Sequence, residues 1–159
     1  MTLITAVLHT HNDGLRLGRS LETLHPCDEI LIVDHGSNDA TLRIASEYGA
    51  RVIRAKEGVS LEEYLGRLDG TWILCLDPRE SITEGLSASL FEWKSTSGVP
   101  KAPGFSFRLR EETSEGWIQT PTAHMRLVRA GWSRWQGHFP ATEPSSLPLD
   151  GDLLRFAIP

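Results

Sequence analysis

A chain of 159 residues, 40% hydrophobic and 23% charged, has the size and balance of one soluble globular domain. Acids outnumber bases by 21 to 16, for a formal charge of −5, which argues against nucleic acid or a bare anionic membrane as the partner. Cys27 and Cys75 lack the spacing of a disulfide framework, the N-terminus lacks a basic region, and no stretch reaches the ~20 apolar residues of a spanning helix, so the expected compartment is the cytoplasm.

In chain order, residues 3–9 (LITAVLH) form the first predicted strand, short, largely apolar and β-branched in part. Leu17, Leu21 and Leu24 recur at helical spacing up to His25-Pro26. Residues 29–34 (EILIVD) give the second strand. Ser37, Asn38 and Asp39 then offer caps to a helix with Thr41, Ile44, Ala45 and Tyr48 on one face, closed by Gly49. A short strand is predicted over 51–54. Ser60 with Glu63 reads as a capping box over Leu61, Tyr64, Leu65 and Leu68. Residues 71–77 (TWILCLD) form the strongest strand, and Ser81 with Glu84 repeats the capping box before Leu86, Leu90 and Trp93.

Strands too apolar to have a wet face, alternating with helices, predict an α/β fold: a mostly parallel sheet with helices on both faces. The alternation stops after Trp93, and 95–104 (STSGVPKAPG) is loop-like. The expected organisation is one domain over 1–159, with an α/β half at 1–94 and a short β-rich half at 104–159. Strands are predicted there at 105–110, 124–129 and 152–158. The second part carries seven basic against six acidic residues over 101–159, so an anionic ligand approaches it more easily than the acidic first part.

Ligands of an open parallel sheet bind beyond the carboxyl ends of its strands. Three polar clusters fall there: Thr10-His11-Asn12-Asp13, Asp34-His35-Gly36-Ser37-Asn38-Asp39, and Asp77-Pro78-Arg79-Glu80. Capping accounts for Ser37 to Asp39 without any ligand. Asp34 and Asp77 close buried strands and must be solvated, paired or ligand-bound.

These clusters, within EILIVDHGSNDATLRIASEYGARVI and GTWILCLDPRESIT, resemble family 2 glycosyltransferases, inverting enzymes of the GT-A fold, in their bacterial envelope-polysaccharide and lipopolysaccharide-core type. The resemblance covers roughly residues 2–93. It implies a nucleotide-sugar donor bound by Thr10, His11, Asn12, Asp34, Ser37 and Asp77, with Asp34 accepting a hydrogen bond from the base; Arg79 is a further candidate on its own chemistry. It also implies Mg²⁺ or Mn²⁺ near Asp77, which would offset the diphosphate charge as the leaving group departs. The acceptor implied is a glycan or a lipid-linked molecule, the latter bringing peripheral membrane association.

Three departures qualify the resemblance. Arg79 stands where the family has its second Asp, either as a cation for the diphosphate or in a salt bridge to Asp77 or Glu80. Leu61-Glu62-Glu63 stands where the family often has a basic segment, and reads as a solvated helix face. In the stretch around Trp135-Gln136-Gly137-His138-Phe139-Pro140 the family's catalytic acid is missing, leaving His138 as the candidate base and Glu143 in reserve. Arg126, Arg129 and Arg134 suit either an anionic acceptor or an exposed alternating strand.

Other readings fare worse. His9-x-His11 with Asp13-Gly14 and Asp34-His35 echoes a metal-dependent phosphoesterase, but His124 and His138 lie in no matching context. The Gly-x-Gly-x-x-Gly of a dinucleotide oxidoreductase is missing after the first strand. His11-Asn12 replaces the acidic pair of a phosphotransfer receiver. The rival from another class is a catalytically impaired relative that binds a nucleotide sugar or a protein through the same fold.

Overall fold

The computed structural model describes residues 2–60, 63–64, 72–96 and 101–159. Strand β1 (Ile4–Thr10) is buried along its whole length and runs parallel to β2 (Glu29–Asp34) on one side and to β4 (Trp72–Leu76) on the other. Strand β3 (Arg51–Arg54) adds to β2, also parallel. This places the ends of β1, β2 and β3 in register at one edge, with Thr10 opposite Asp34 and Asp34 opposite Arg54.

Beyond β4 the sheet turns mixed. Strand β8 (His124–Arg129) is antiparallel to β4 and to β6 (Phe105–Thr113); β11 (Leu147–Arg155) is parallel to β6; β5 (Glu80–Ile82) closes the far edge, antiparallel to β11. The order is β3-β2-β1-β4-β8-β6-β11-β5, with β7 (Gly116–Gln119) paired to β6. The α/β sheet is therefore as expected, but parallel pairing is confined to its first half and to the β6–β11 pair.

Helices α1 (Leu17–Leu21), α2 (Thr41–Glu47) and α3 (Glu84–Ser95) pack Leu17, Leu21, Ala45, Leu86 and Leu90 against one face of the sheet, over Ile4, Ala6, Leu8 and Ile32. The other face, carrying Val7, Leu31, Val33 and Cys75, is covered by Tyr64 and by Trp135 and Phe139 from a hairpin of β9 (Trp135–Gln136) and β10 (Phe139–Pro140). Leu61, Leu65 and Leu68 of the helix expected there lie outside the described residues. None of the described helices is long and apolar enough to cross a membrane.

Two expectations change in detail. Helix α1 ends at Leu21, because the approach to Pro26 disfavours helical backbone; Leu24 is still buried, delivered by turn bonds from Leu24 N to Leu21 O and from Cys27 N to Leu24 O. Ser81 does not cap α3, because it pairs in β5 with Leu154. Thr83 caps the helix instead, its hydroxyl accepting from Leu86 N at 3.3 Å and donating to the Asp152 carbonyl at 2.7 Å. That junction also needs Gly151: its φ is +102°, and a Cβ there would lie 2.2 Å from Leu86 N.

Candidate functional site

The ends of β1 and β2 are tied together by hydroxyl and carboxylate side chains. Asp34, 2% exposed, accepts four hydrogen bonds: Oδ1 from Thr10 Oγ1 (2.7 Å) and Ser37 Oγ (2.5 Å), Oδ2 from the amides of Gly36 (3.2 Å) and Ser37 (2.9 Å). Burial opposes its ionisation, but donors from Ser37, Thr10 and Gly36 win and hold the carboxyl below the usual Asp range. Asp34 thus shapes the His35-Gly36-Ser37 turn, with Gly36 at φ +87°.

The first cluster locks onto that turn. Asn12, in the left-handed region at φ 53°, donates its amide to Ser37 Oγ (2.9 Å), and its Oδ1 accepts from Asn38 N (2.8 Å). His11 Nδ1–H donates to the His35 carbonyl at 2.8 Å. Asp39 accepts from the amides of Gly14 and Thr41, but the N-cap position of α2 is Ala40, so none of Ser37, Asn38 and Asp39 caps the helix as expected. Thr10, Asn12, Asp34 and Ser37 are therefore one hydrogen-bonded unit.

Beside it opens a cleft of about 500 Å³ lined by His9, His35, Gly36, Lys56, Tyr64 and His138 among others. Lys56 comes from the loop after β3, upstream of the segment where a basic residue is expected by resemblance, and periodicity gives no sign of it. His138 sits at the tip of the β9–β10 hairpin, stacked on His9 with ring centroids 3.8 Å apart and an 11° tilt. His9 Nδ1 lies 2.9 Å from His35 Nε2. Burial first, then the neighbouring His138 and His35, push His9 down to about 3; burial and His35 also lower His138 against an opposing pull from Asp77. His9 meets His35 and His138, and not the His11 of the His9-x-His11 pattern. Strand β1 ends at Thr10, so the two-residue periodicity of strand faces does not reach His11.

The third cluster is engaged with itself and with the core. Arg79 forks onto Asp77, Nε to Oδ1 at 2.9 Å and Nη2 to Oδ2 at 3.2 Å, which is the salt-bridge alternative. Burial opposes ionisation of Asp77, but Arg79 keeps it below the usual range. Glu80, fully buried, takes Arg126 on both oxygens (2.7 and 3.0 Å), Arg155 on Oε2 (2.8 Å) and the Asp77 amide on Oε1 (2.8 Å). With Asp77 forked by Arg79 and Glu80 saturated by two guanidiniums, these carboxylates do not fit a hard divalent cation, which wants several free oxygens.

Arg126, Arg129 and Arg134 do not form a free platform for an anion. Arg126 is 2% exposed, Arg129 lies over Trp72 at 4.8 Å, and Arg134 pairs with Glu143 and packs on Trp132. Glu143 is thus occupied, whereas His138 faces the cleft. The role of Arg126 was hidden because its partner Glu80 is 46 residues away.

The family model for glycosyl transferase family 2 matches residues 5–93, more than half of the chain. A TPR repeat-containing protein of Synechococcus elongatus is 33% identical over 107 residues, 64% of this chain; the chain spans about a quarter of that relative's length (25%). Among solved structures, glucosyl-3-phosphoglycerate synthase of Mycobacterium tuberculosis, in complex with Mn²⁺, UDP and glucosyl-3-phosphoglycerate, aligns at 18% identity and a TM-score of 0.45 over 69% of this chain and 43% of its own. TarS of S. aureus aligns at 20% identity and 0.46, over 71% and 22%.

Proposed function

We propose, from the premise that this chain belongs to glycosyl transferase family 2, that its strand-end cleft binds a nucleoside-diphosphate sugar and serves inverting sugar transfer to a glycan or lipid-linked acceptor. The observation carrying this reading is the Thr10–Asp34–Ser37–Asn12 unit, whose His35-Gly36 turn lines a 500 Å³ cleft. Such a unit holds exposed backbone and polar groups rigid against an incoming ligand.

In this reading Thr10, Asp34 and Ser37 are positioning residues, since their polar atoms are spent on one another. His11 and Asn12, both exposed, meet the nucleotide together with the Gly36 edge. Lys56 and Arg79 face the diphosphate. Arg79 Nη1 makes no hydrogen bond among the described residues and the side chain is 44% exposed, so the guanidinium can bond a phosphate oxygen while still forked on Asp77. Asp77 then positions that cation instead of holding a metal.

For transfer, the acceptor hydroxyl oxygen attacks the anomeric carbon as the carbon–oxygen bond to the diphosphate breaks. The bonding pair leaves on the phosphate oxygen, and the hydroxyl proton passes to His138, whose lowered pKa keeps a lone pair available at neutral pH. Cytoplasmic location and membrane association through a lipid-linked acceptor belong to this proposal.

A second reading is favoured by one observation: Asp77 is neutralised by Arg79 and Glu143 by Arg134, so the site holds few free carboxylates. The chain would then bind the nucleotide sugar without turning it over. Calorimetric titration with UDP, GDP and their sugar conjugates, with and without Mn²⁺, tests both. Metal-independent binding supports the cleft, and turnover of the bound sugar separates transferase from binding module. Absence of binding to all of them sinks both readings.

A further inference from the structure

We propose that His9, His35 and His138 form a binding site for an imidazole-preferring divalent transition metal, with zinc as the natural occupant. The three side chains come from separate segments: β1, the turn after β2, and the tip of the β9–β10 hairpin. One ring nitrogen from each lies within 4.8 Å of the other two. Around a metal with bonds of about 2.0–2.1 Å, tetrahedral ligand nitrogens stand ~3.3 Å apart. The set is thus an open version of a three-histidine site, closed by small rotations of the two exposed rings.

His9 points to a ligand independently. It is 9% exposed and lines the cleft, its Nδ1 faces His35, and its Nε2 has no hydrogen-bond partner among the described residues. A buried ring nitrogen without a partner is unusual in a folded protein. The other two rings carry no such constraint, so they can tilt out of the stack and share a metal with His9.

The donor set selects the metal. Three imidazoles without a carboxylate suit zinc, copper or nickel, whereas Mg²⁺ and Mn²⁺ prefer oxygen. Three protein ligands leave a fourth position for water or an anionic group entering the cleft. Metal binding and the base role proposed for His138 compete for the same lone pair. The site itself rests on geometry and not on the donor reading.

The test uses the full chain, stripped with a chelator and titrated with Zn²⁺ by calorimetry and with Co²⁺ by visible absorption, with no nucleotide present. One equivalent of tightly bound Zn²⁺ and the intense bands of four- or five-coordinate Co²⁺ are expected. His35→Ala and His138→Ala, both at exposed positions and checked for fold by circular dichroism, should each weaken Zn²⁺ binding at least tenfold. His25→Ala, away from the cluster, should not. No stoichiometric binding, or equal affinity in wild type and both cluster variants, overturns the proposal.

Discussion

Arg126 and Glu80 meet inside the sheet as a two-pronged pair, Nη1 to Oε1 at 2.7 Å and Nη2 to Oε2 at 3.0 Å, with neither side chain more than 2% exposed. The same guanidinium lies 3.7 Å from the Phe139 ring centroid. One buried ion pair therefore connects the loop after β4 to the hairpin that carries His138. Removing one partner strands a buried charge. Glu80→Ala should cost about 3–5 kcal/mol, read as a lower urea midpoint. A midpoint within error of wild type would mean the pair does not brace the fold.

Acid should loosen the same element. Burial opposes ionisation of Glu80, but Arg126 and Arg155 outweigh it and hold its carboxyl below the ordinary Glu range. A carboxyl lowered on folding contributes stability that is complete above its unfolded pKa, about 4.3, and fades as pH falls below it. The stability gap between wild type and Glu80→Gln should therefore be constant from pH 7 to about 5 and shrink below about 4. A gap that widens on acidification would contradict this assignment.

Arg79 separates a fixed cation from a metal. Arg79→Ala should weaken metal-independent binding of a nucleoside diphosphate by about tenfold, the ~1.5 kcal/mol or more of a charged hydrogen bond. Arg79→Asp restores the acidic spacing of the family and should make whatever binding remains depend on Mn²⁺. Calorimetry of both variants checks this; unchanged affinity in Arg79→Ala removes the phosphate role.

Gly151 is a purely structural test. With φ at +102° and Leu86 N where a Cβ would fall, Gly151→Ala must push the start of α3 away from β11. A loss of at least ~2 kcal/mol by thermal or urea unfolding is expected. A neutral substitution would mean that α3 and β11 do not pack tightly at this junction.

The first half of the fold was legible because its strands are continuous apolar runs with polar residues at their ends; β2 falls on residues 29–34 as read. Thr10 and Asp34 could be placed at strand ends on that basis alone, though not bonded to each other. The shorter elements were harder: β5, β9 and β10 are two or three residues long and hold no periodicity to count. Their positions come from long-range contacts, such as Ser81 against Leu154, that no local pattern encodes. The His9–His35–His138 cluster was missed for the same reason. His138 is 129 positions from His9, and only the hairpin clamped by Arg126 brings it there.

The most direct test of the central claim is an amide chemical-shift titration of the full chain with UDP and GDP, each without metal. Saturable shifts are expected, centred on Gly36 and Lys56, which line the cleft, and on the hydrogen-bonded Asn12 and Ser37 beside them. Shifts confined to another face, such as the groove between α3 and β11, or none with either nucleotide, would contradict it.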